Sequence, residues 1–329
     1  MAKKRKTKKQ KQQRNQLIGF VLTLIFTFLF GLSVGKGNGL SNISKNIEEI
    51  KERFSQQFQE STGKEENSDI VSVHFFDVGQ GSSSLLQSED GTTILIDTGR
   101  YEDKDKKILQ YLDKYIGTGG TIDLLIFSHN DADHIGYGDL ILDYYDVKEV
   151  WMNGVDSTSQ IYGKILDGLL ANESIEYLEP KRGEKFKKGP FDITVLNPSN
   201  VVSNNQNEAS IVTNITVNDT NILFPGDLST SGEIEIFNSY PSLKSEVVLL
   251  GHHGSETSTD EVFLNKINPK IAIYSAGQNN SYNHPSPSVL NLLEKKNIPY
   301  YGTDEYGEII LKINSTAEIF IEVENEESE

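Results

Sequence analysis

The chain of 329 residues contains no cysteine. Disulfide bonds, thiolate metal ligands and a cysteine nucleophile are therefore excluded. The sequence also lacks a Gly-x-Ser-x-Gly segment, the turn on which many hydrolases carry a nucleophilic serine. A nucleophile supplied by a protein side chain is thus not indicated. A chain without thiols is compatible with a location outside the cytoplasm, where disulfides form and persist.

Basic residues are concentrated at the N-terminus. Residues 3–14 contain eight lysines and arginines, which leaves 23 basic against 48 acidic side chains in the rest of the chain, a net charge of −25. A surface of this sign repels a long polyanion unless cations screen it. The apolar segment that follows is a predicted membrane span, and the positively charged flank of such a span stays in the cytoplasm. We therefore expect residues 1–16 to form a cytoplasmic tip.

An apolar segment follows the basic tip. Residues 17–34 carry no charged side chain, and 18 helical residues span about 27 Å at about 1.5 Å each, close to the thickness of a bilayer core. We predict one uncleaved transmembrane helix or signal anchor, which places the rest of the chain outside the cell in a single-pass membrane protein. A cleaved signal peptide is the alternative, and the protein would then be secreted.

Residues 35–69 are predicted to be a helical stalk and linker. Leu40, Ile43, Ile47, Ile50 and Phe54 recur at spacings of three and four residues, which is typical of an apolar stripe on a helix. Two heptads are marginal for self-association, so packing against the following domain or the membrane is the alternative. Residues 61–68 are polar and read as a flexible linker.

From residue 70 onward the pattern predicts an α/β domain. Short apolar, β-branched runs alternate with amphipathic segments and tight turns. Strands are predicted at 70–76, 83–87, 92–96, 122–127, 147–152, 191–196, 210–217, 221–224, 247–250, 271–274, 308–313 and 318–323. Helices are predicted at 104–115, 160–170, 260–267 and 287–296. This order of strands and helices suits two sheets packed face to face with helices outside.

A cluster of polar residues follows the predicted strand at 122–127. Ser128-His129-Asn130-Asp131-Ala132-Asp133-His134 places two imidazoles and two carboxylates within six residues. Open α/β sheets bind ligands at the carboxyl ends of their strands. Imidazole favours zinc and similar ions, whereas carboxylate oxygens suit harder ions such as manganese. The loop is therefore a candidate metal site, although one such loop alone is often only a solvated turn.

Two other predicted strands end in the same manner. Asp227 closes Pro225-Gly226-Asp227, and His252 with His253 lies in Gly251-His252-His253-Gly254-Ser255. If this second segment is extended, adjacent residues point to opposite sides, and only one of the two histidines is expected at a given ion. Three strands that end in residues able to bind metal favour one shared site over three unrelated turns.

Six segments occur in a recognisable order along the chain. They are Asp77-Val78-Gly79-Gln80-Gly81, Leu95-Ile96-Asp97-Thr98-Gly99, Ser128–His134, Pro225-Gly226-Asp227, Gly251–Ser255 and Asn283-His284-Pro285. Together they resemble the metallo-β-lactamase-fold hydrolases, and in particular the C-terminal hydrolase domain of ComEC-type DNA-uptake proteins. The resemblance covers residues 70–323. It implies that residues 70–329 form a metallo-β-lactamase-like four-layer αβ/βα sandwich, preceded here by the transmembrane helix.

The resemblance also implies roles for individual residues. The implied metal ligands are His129, Asp131, Asp133, His134, Asp227 and His253. The first pair would serve one ion and the second pair the other, with Asp227 between them. Catalytic roles are implied for Asp133 and for His284, which would stabilise or protonate the leaving group. The residues expected around the ligands or the substrate are Asp77, Gln80, Asp97, Asn207, Ser210 and His252.

The sequence departs from the lactamase pattern in two respects. Asp131 stands where many members have a second histidine, and no histidine occurs between His134 and His252. The implied site is therefore richer in oxygen, which suits manganese better than a three-histidine zinc site would. We expect two divalent metal ions, zinc or manganese. The departure also argues against a β-lactamase.

These features predict a membrane-anchored, extracellular, dinuclear metal-dependent hydrolase. By resemblance it would be a phosphodiesterase or nuclease that attacks a phosphoester or nucleic acid with a metal-activated hydroxide. The alternatives are a hydrolase of another ester, such as a lactone, a thioester or a choline phosphate of a surface polymer, and a non-catalytic binding protein. The sequence indicates no protein partner.

Overall fold

Two mixed β-sheets form the middle of the structure, a computed structural model that describes residues 70–101 and 105–325. The strands of the described residues are β1 (Val71–Phe75), β2 (Ser84–Gln87), β3 (Thr93–Ile96), β4 (Thr121–Ile122), β5 (Leu124–Ile126), β6 (Asp146–Val147), β7 (Glu149–Trp151), β8 (Glu176–Leu178), β9 (Lys185–Lys188), β10 (Phe191–Asn197), β11 (Val212–Val217), β12 (Thr220–Phe224), β13 (Val247–Leu249), β14 (Ile271–Tyr274), β15 (Tyr300–Gly302), β16 (Ile309–Ile313) and β17 (Ile319–Val323).

The helices of the described residues connect or flank these strands. They are α1 (Lys107–Tyr115), α2 (Ala132–Ile135), α3 (Gly138–Tyr144), α4 (Gln160–Ala171), α5 (Thr230–Ser239), α6 (Glu261–Ile267), α7 (Pro287–Lys295) and α8 (Thr303–Tyr306), with a short 3₁₀ turn at Gly251–Gly254. The first sheet has the order β17-β16-β1-β2-β3-β5-β7-β8, and the second has the order β15-β14-β13-β12-β11-β10-β9. Strands β4 and β6 form a separate parallel pair.

The main core lies between the two sheets. Alternate residues of each strand point to one face, and Val71, Val73 and Phe75 of β1 point into this core with the apolar residues of β12 and β13. The rings of Phe75 and Phe224 stack across it at 6.2 Å between centroids. Each sheet therefore buries one apolar face against the other.

Helices cover the outer faces of both sheets. Ile108 and Leu112 of α1 pack with Leu85 and Leu95 on the outside of the first sheet. Helices α5, α6 and α7 bury apolar side chains, among them Phe263, against the outside of the second sheet. The order of layers is helix, sheet, sheet, helix. This confirms the four-layer αβ/βα sandwich that the sequence predicts.

Most predicted strands and helices occur within a few residues of their expected bounds, but the strand predicted at 122–127 is divided. Thr121–Ile122 pairs with β6, whereas Leu124–Ile126 pairs with β3. The Asp123 carboxylate lies between them and accepts the backbone N–H of Thr93 at 2.9 Å. A half-buried carboxylate thus ends one strand and begins another within an otherwise apolar run.

Several elements were not predicted, and they are β8, β9, β15, α2, α5 and α8. Strand β9 reads Lys-Phe-Lys-Lys and lies at the edge of the second sheet. Its hydrogen bonds to β10 hold it there, since its side chains are largely exposed. Helix α5 carries Gly232 and β-branched isoleucines, which weaken its intrinsic preference for helix. Tertiary packing overrides local preference in these elements.

The basic tip (1–16), the predicted membrane span (17–34) and the stalk and linker (35–69) lie outside the described residues. Within residues 70–101 and 105–325, no helix combines the length and the apolar character needed to cross a bilayer.

One carboxyl group is buried away from the strand ends. Glu233 of α5 is 1% exposed, and its oxygens accept the backbone N–H of Thr259 at 3.0 and 3.2 Å. Burial raises the pKa of Glu233 well above its usual value, the N–H of Thr259 opposes this shift, and the neighbouring Asp260 adds to it. The side chain joins α5 to the loop before α6, and its burial favours the protonated form.

This burial predicts a pH-dependent stability. Because the pKa of Glu233 is higher in the folded than in the unfolded protein, its contribution is fully present below the ordinary glutamate pKa and is lost as pH rises toward the folded-state pKa. Glu233→Gln keeps an oxygen for Thr259 and cannot ionise. We expect the free energy of unfolding of this variant to exceed that of the wild type increasingly between pH 5 and pH 8, measured by urea denaturation.

Glu235→Gln is the matched control, because Glu235 lies two residues further along α5 with its side chain 68% exposed. Its difference from the wild type should not grow with pH. A Glu233→Gln difference that is constant over this range would contradict the buried, protonated state.

Candidate metal centre

The strand ends bring distant polar residues to one edge of the two sheets. Strands β3 and β5 are parallel, as are β12, β13 and β14. The loop after β5 carries His129–His134, Asp227 follows β12, and His252 and His253 follow β13. Parallel strands present their carboxyl ends at the same edge. The arrangement explains how residues more than a hundred positions apart meet.

Three imidazoles are buried at this edge. His129, His134 and His253 are 0%, 1% and 4% exposed. The Nε2 atom of each makes no hydrogen bond. A buried polar nitrogen without a partner is costly in a folded protein. Three such atoms that meet at one place indicate that the site accommodates a group which is not part of the polypeptide.

Carboxylates lie among these nitrogens and form two overlapping groups. In the first, His134 Nε2 lies 3.2 Å from Asp227 Oδ1, and His129 Nε2 lies 3.8 Å from Asp227 Oδ2. In the second, His253 Nε2 lies 3.5 Å from Asp133 Oδ2, and His134 again takes part. The ligand atoms within each group all lie within 4.8 Å of one another. We call the two groups together the metal centre.

Asp131 and His252 lie at the rim of the metal centre. Asp131 Oδ2 is 3.5 Å from His129 Nε2, and its side chain is 48% exposed. His252 Nε2 is 3.7 Å from Asp227 Oδ2. The structure thus brings all six predicted ligands to one place, and His252 as well.

The expectation that residues 251–254 are extended is wrong. They form a 3₁₀ turn in which His252 and His253 both have a positive φ, at 51° and 57°. Adjacent side chains in such a turn are not forced to opposite sides, so both rings face the metal centre from one segment. Residues with side chains rarely adopt this conformation, and it concentrates at functional sites.

Hydrogen bonds from behind fix the orientation of two imidazoles. Asp97 Oδ2 lies 2.8 Å from His134 Nδ1 and also accepts the hydroxyl of Ser128 at 2.7 Å. The Ser275 carbonyl lies 2.8 Å from His253 Nδ1. Each ring therefore presents Nε2 to the metal centre. Asp97, predicted to surround the ligands, lies in this outer layer.

The other predicted residues are placed unequally. Ser210 accepts the backbone N–H of Asp227 at 3.1 Å, and it is fully buried. Gln80 accepts the N–H of Gly277 at 3.2 Å. Asp77 instead forms an ion pair with Lys107 at 2.5 Å. Asn207 contributes its backbone carbonyl to the turn at Ser210.

His284 lies beside the two adjacent histidines. Its ring centroid is 5.4 Å from that of His252 and 6.3 Å from that of His253. Burial lowers the pKa of His284, and the nearby His253 and His252 lower it further. The ring is therefore neutral at physiological pH and carries one N–H.

The electrostatics of the metal centre are those of tightly paired opposite charges. Burial alone would raise the pKa of Asp227, but His134 and His253 hold it well below its usual value. Burial would likewise lower the pKa of His134, and Asp227 and Asp97 instead raise it. The carboxylates are ionised, as metal ligands must be.

The donor set fits divalent cations. It combines imidazole nitrogens with carboxylate oxygens, which zinc, manganese and iron accept, and part of it lines a small cavity. Within residues 70–101 and 105–325, the buried imidazole Nε2 atoms have no hydrogen-bond partner. Ser128 and Ser275 were missed by the sequence interpretation. Ser128, directly before His129, was visible in the motif, whereas the role of the Ser275 carbonyl depends on the fold alone.

Glycine is needed beside Asp227. Gly226 has φ 57°, and a Cβ atom there would lie 2.9 Å from the Ser210 side chain. That distance is closer than such atoms approach, so only glycine lets the backbone turn and hold Asp227 in place.

Residues 76–278 match the Metallo-beta-lactamase superfamily. The chain belongs to this superfamily. Metal-dependent hydrolases are typical members of this superfamily, and this chain is an enzyme of that class.

Similar curated proteins are of the ComEC type. ComE operon protein 3 of Bacillus subtilis is 32% identical over 72% of this chain, and Competence protein ComA of Neisseria gonorrhoeae is 31% identical over 74%. Recombination protein 2 of Haemophilus influenzae is 30% identical over 72%. The matched regions span 32%, 32% and 28% of these relatives, so the chain matches about a third of their length.

Solved structures also resemble the described fold. The metallo-β-lactamase fold protein YhfI from Bacillus subtilis has a TM-score of 0.49 and 14% sequence identity, and the match covers 74% of this chain and 99% of that one. CmlA, a diiron β-hydroxylase from Streptomyces venezuelae, has a TM-score of 0.46 and 15% identity over 71% of this chain and 52% of that one.

The contacts of Asp97 predict that it tunes the metal centre without lying in it. Asp97→Asn keeps the size of the side chain but removes the charge that holds His134 Nδ1–H. Loss of such a partner typically costs about 10–100-fold in metal affinity. We expect a decrease of this size, measured by competition with a chromogenic chelator.

Asp192→Asn serves as the control, because Asp192 lies on β10 with its side chain 63% exposed and pairs only with Lys187 among the contacts described. Its metal affinity should equal that of the wild type. Equal affinities for Asp97→Asn and Asp192→Asn would refute the role of Asp97.

Proposed function

We propose that this protein is a membrane-anchored extracellular phosphodiesterase that acts on nucleic acid with two divalent metal ions. The observation that carries the proposal is the metal centre itself. Its three buried imidazole nitrogens and two buried or half-buried carboxylates suit a pair of ions. Competence and recombination, in the names of the relatives, support nucleic acid as the substrate class.

Two sets of residues would hold the ions. His129 and Asp227, with Asp131 at the rim, would bind one ion, and Asp133 with His253 would bind the other, while His134 belongs to both groups. Bound divalent cations would polarise the phosphoryl oxygen and favour the ionisation of water at neutral pH. Zinc and manganese both suit this mixed set of nitrogen and oxygen donors.

The chain's own residues would position the reactants. The pKa of Asp133 is below its usual value because His253 and His134 outweigh the effect of burial, so its ionised carboxylate can orient an attacking water. The neutral ring of His284 can donate its N–H to the leaving oxygen. Asp97 and the Ser275 carbonyl keep His134 and His253 turned toward the metal centre.

The location is inferred from the N-terminal sequence. The eight basic residues before the apolar segment 17–34 favour a cytoplasmic N-terminus and an exported hydrolase domain. The formal net charge of the whole chain is −17. Such a charge favours a short or locally bound stretch of nucleic acid over extensive contact with a long duplex.

The proposed chemistry predicts that turnover depends on Asp227. Asp227→Asn removes the carboxylate charge of the first group. Because metal polarisation contributes several kcal/mol and about 1.4 kcal/mol corresponds to a tenfold change in rate, turnover should fall at least about 100-fold. The measurement uses full-length protein, bis-p-nitrophenyl phosphate and single-stranded DNA, each with Mn²⁺ or Zn²⁺. His129→Ala should act in the same direction.

Metal content is determined on the same samples. We expect about two ions per wild-type chain and fewer in both variants, while Asp192→Asn should match the wild type. Absence of bound metal under every condition would remove the basis of the site. Bound metal without hydrolysis of either phosphodiester would remove the proposed substrate class.

The absence of cysteine makes the location directly testable. A single cysteine introduced by Glu173→Cys, at an exposed position after α4, should react with a membrane-impermeant maleimide on intact cells. Gln12→Cys, in the basic tip, should react only after the cells are opened. The opposite labelling pattern would show that the hydrolase domain is cytoplasmic, and release of labelled protein into the medium would show cleavage of the segment.

A further inference from the structure

A second cavity opens beside the metal centre. It has a volume of about 410 Å³ and is lined by Gln80, Arg100, Lys107, Asn280 and Tyr282, among others. This volume lies within the range of about 300–1,000 Å³ that is usual for ligand pockets. The sequence interpretation assigned no role to Arg100, Lys107 or Tyr282. We call this cavity the basic pocket.

The basic pocket adjoins the metal centre. The backbone of Gly81 packs closely between Asp133 and Arg100. A Cβ atom at Gly81 would lie 2.6 Å from the Asp133 carbonyl oxygen and 3.2 Å from the Arg100 backbone nitrogen. On the opposite wall, the ring of Tyr282 lies 6.0 Å from that of His284, which in turn lies beside His252. The basic pocket and the metal centre are therefore neighbours, with Tyr282 and His284 on the side where they meet.

The charge of the basic pocket is unusual for this protein. Arg100 and Lys107 both line it, although the formal net charge of the chain is −17. Asp77 forms an ion pair with Lys107 and reduces its effect. Arg100 Nη1 donates to the Tyr282 hydroxyl at 3.2 Å, which fixes the guanidinium at the wall. Arginine is the side chain whose fork matches the oxygens of a phosphate.

An aromatic ring accompanies the cations. Tyr282 is 52% exposed, although burial is favourable for a ring of this size. Proteins that bind single-stranded nucleic acid combine cations along the backbone with exposed rings on which bases stack. Arg100, Lys107 and Tyr282 reproduce this combination at the edge of one cavity.

We propose that the basic pocket binds a second phosphate of the substrate, next to the one cleaved at the metal centre, with the adjoining nucleoside against Tyr282. This inference rests on the proposed phosphodiesterase function and makes its substrate more specific. The substrate is a nucleic acid strand that carries at least two phosphates, and Arg100 is the residue that selects it over an ester with a single phosphate.

The test compares ligands that differ by one phosphate. Phosphorothioate-linked dT₂ resists hydrolysis, and it is titrated by calorimetry against full-length protein in three forms, namely unmodified, 5′-phosphorylated and 3′-phosphorylated. We expect one of the phosphorylated forms to bind the wild type at least about tenfold more tightly than unmodified dT₂, as an ionic hydrogen-bonded contact provides. In Arg100→Ala, the ratio of the affinity for that phosphorylated form to the affinity for unmodified dT₂ should fall below about threefold.

Two further variants separate the effect of the Arg100 charge from that of its forked shape, and both from loss of folding. Arg100→Lys keeps the charge but loses the fork, and should retain an intermediate advantage. Lys187→Ala removes a cation on β9 whose side chain is 62% exposed, and it should keep the full advantage. Metal content and thermal stability of all variants are measured alongside, so that a misfolded Arg100→Ala variant is recognised. In that case the phosphate preference of Arg100→Lys decides whether the basic pocket binds phosphate.

The outcomes separate the two proposals. A wild type that binds all three forms equally, or a preference that persists in both Arg100 variants, would overturn the basic pocket as a phosphate site. Hydrolysis of dT₂ with an ordinary phosphodiester linkage is followed separately. If no phosphodiester is hydrolysed while the Arg100-dependent preference remains, the phosphate site stands and the proposed reaction fails.

Discussion

The arrangement of the strand ends depends on a balance of buried charge around Asp227. A carboxylate that is 5% exposed would be unstable as an anion without positive partners. It lies 3.2 Å from His134 and 3.8 Å from His129, and Asp227 and His134 stabilise each other's charged forms. Because the Nε2 atoms make no hydrogen bond, this pairing does not satisfy the site completely. The same groups that stabilise one another without a metal are thus available to bind one.

Rigid elements hold these groups. Asp227 stands at the end of β12, where Gly226 permits the turn and Ser210 accepts the Asp227 N–H. His134 is fixed by Asp97 from β3, and His253 by the carbonyl that follows β14. These three candidate ligands are therefore held by neighbouring segments as well as by their own loops. A site supported in this manner keeps its geometry because the sheets and their core would have to move to disturb it.

The sequence predicted the strands that are apolar and the loops that follow them, since both have strong local signals. Ile271–Tyr274 agrees in full with its prediction, and His129, Asp227 and His253 were singled out by the strand ends they follow. Prediction from the sequence failed where a structural feature depends on contacts between distant parts of the chain. The Asp123 side chain divides a strand through its hydrogen bond to Thr93. Strand β9 is held by its neighbour β10 despite an exposed, lysine-rich sequence. The left-handed turn at His252 and His253 depends on tertiary packing, which the spacing of residues along the chain does not encode. The basic pocket was missed because its residues come from separate loops.

The charge of the protein and its proposed substrate can be reconciled by the position of Arg100. A net charge of −17 opposes long-range attraction of nucleic acid, and that opposition weakens within about 10 Å at physiological salt. Over shorter distances the local groups decide, and there the basic pocket and two divalent cations would outweigh the acidic surface. The protein would then bind most of a nucleic acid strand weakly, and would bind strongly only the part that reaches the basic pocket and the metal centre. Such a surface favours an end or a single-stranded segment that can reach into the cavity beside Tyr282, because a duplex would bring many more phosphates against the acidic surroundings.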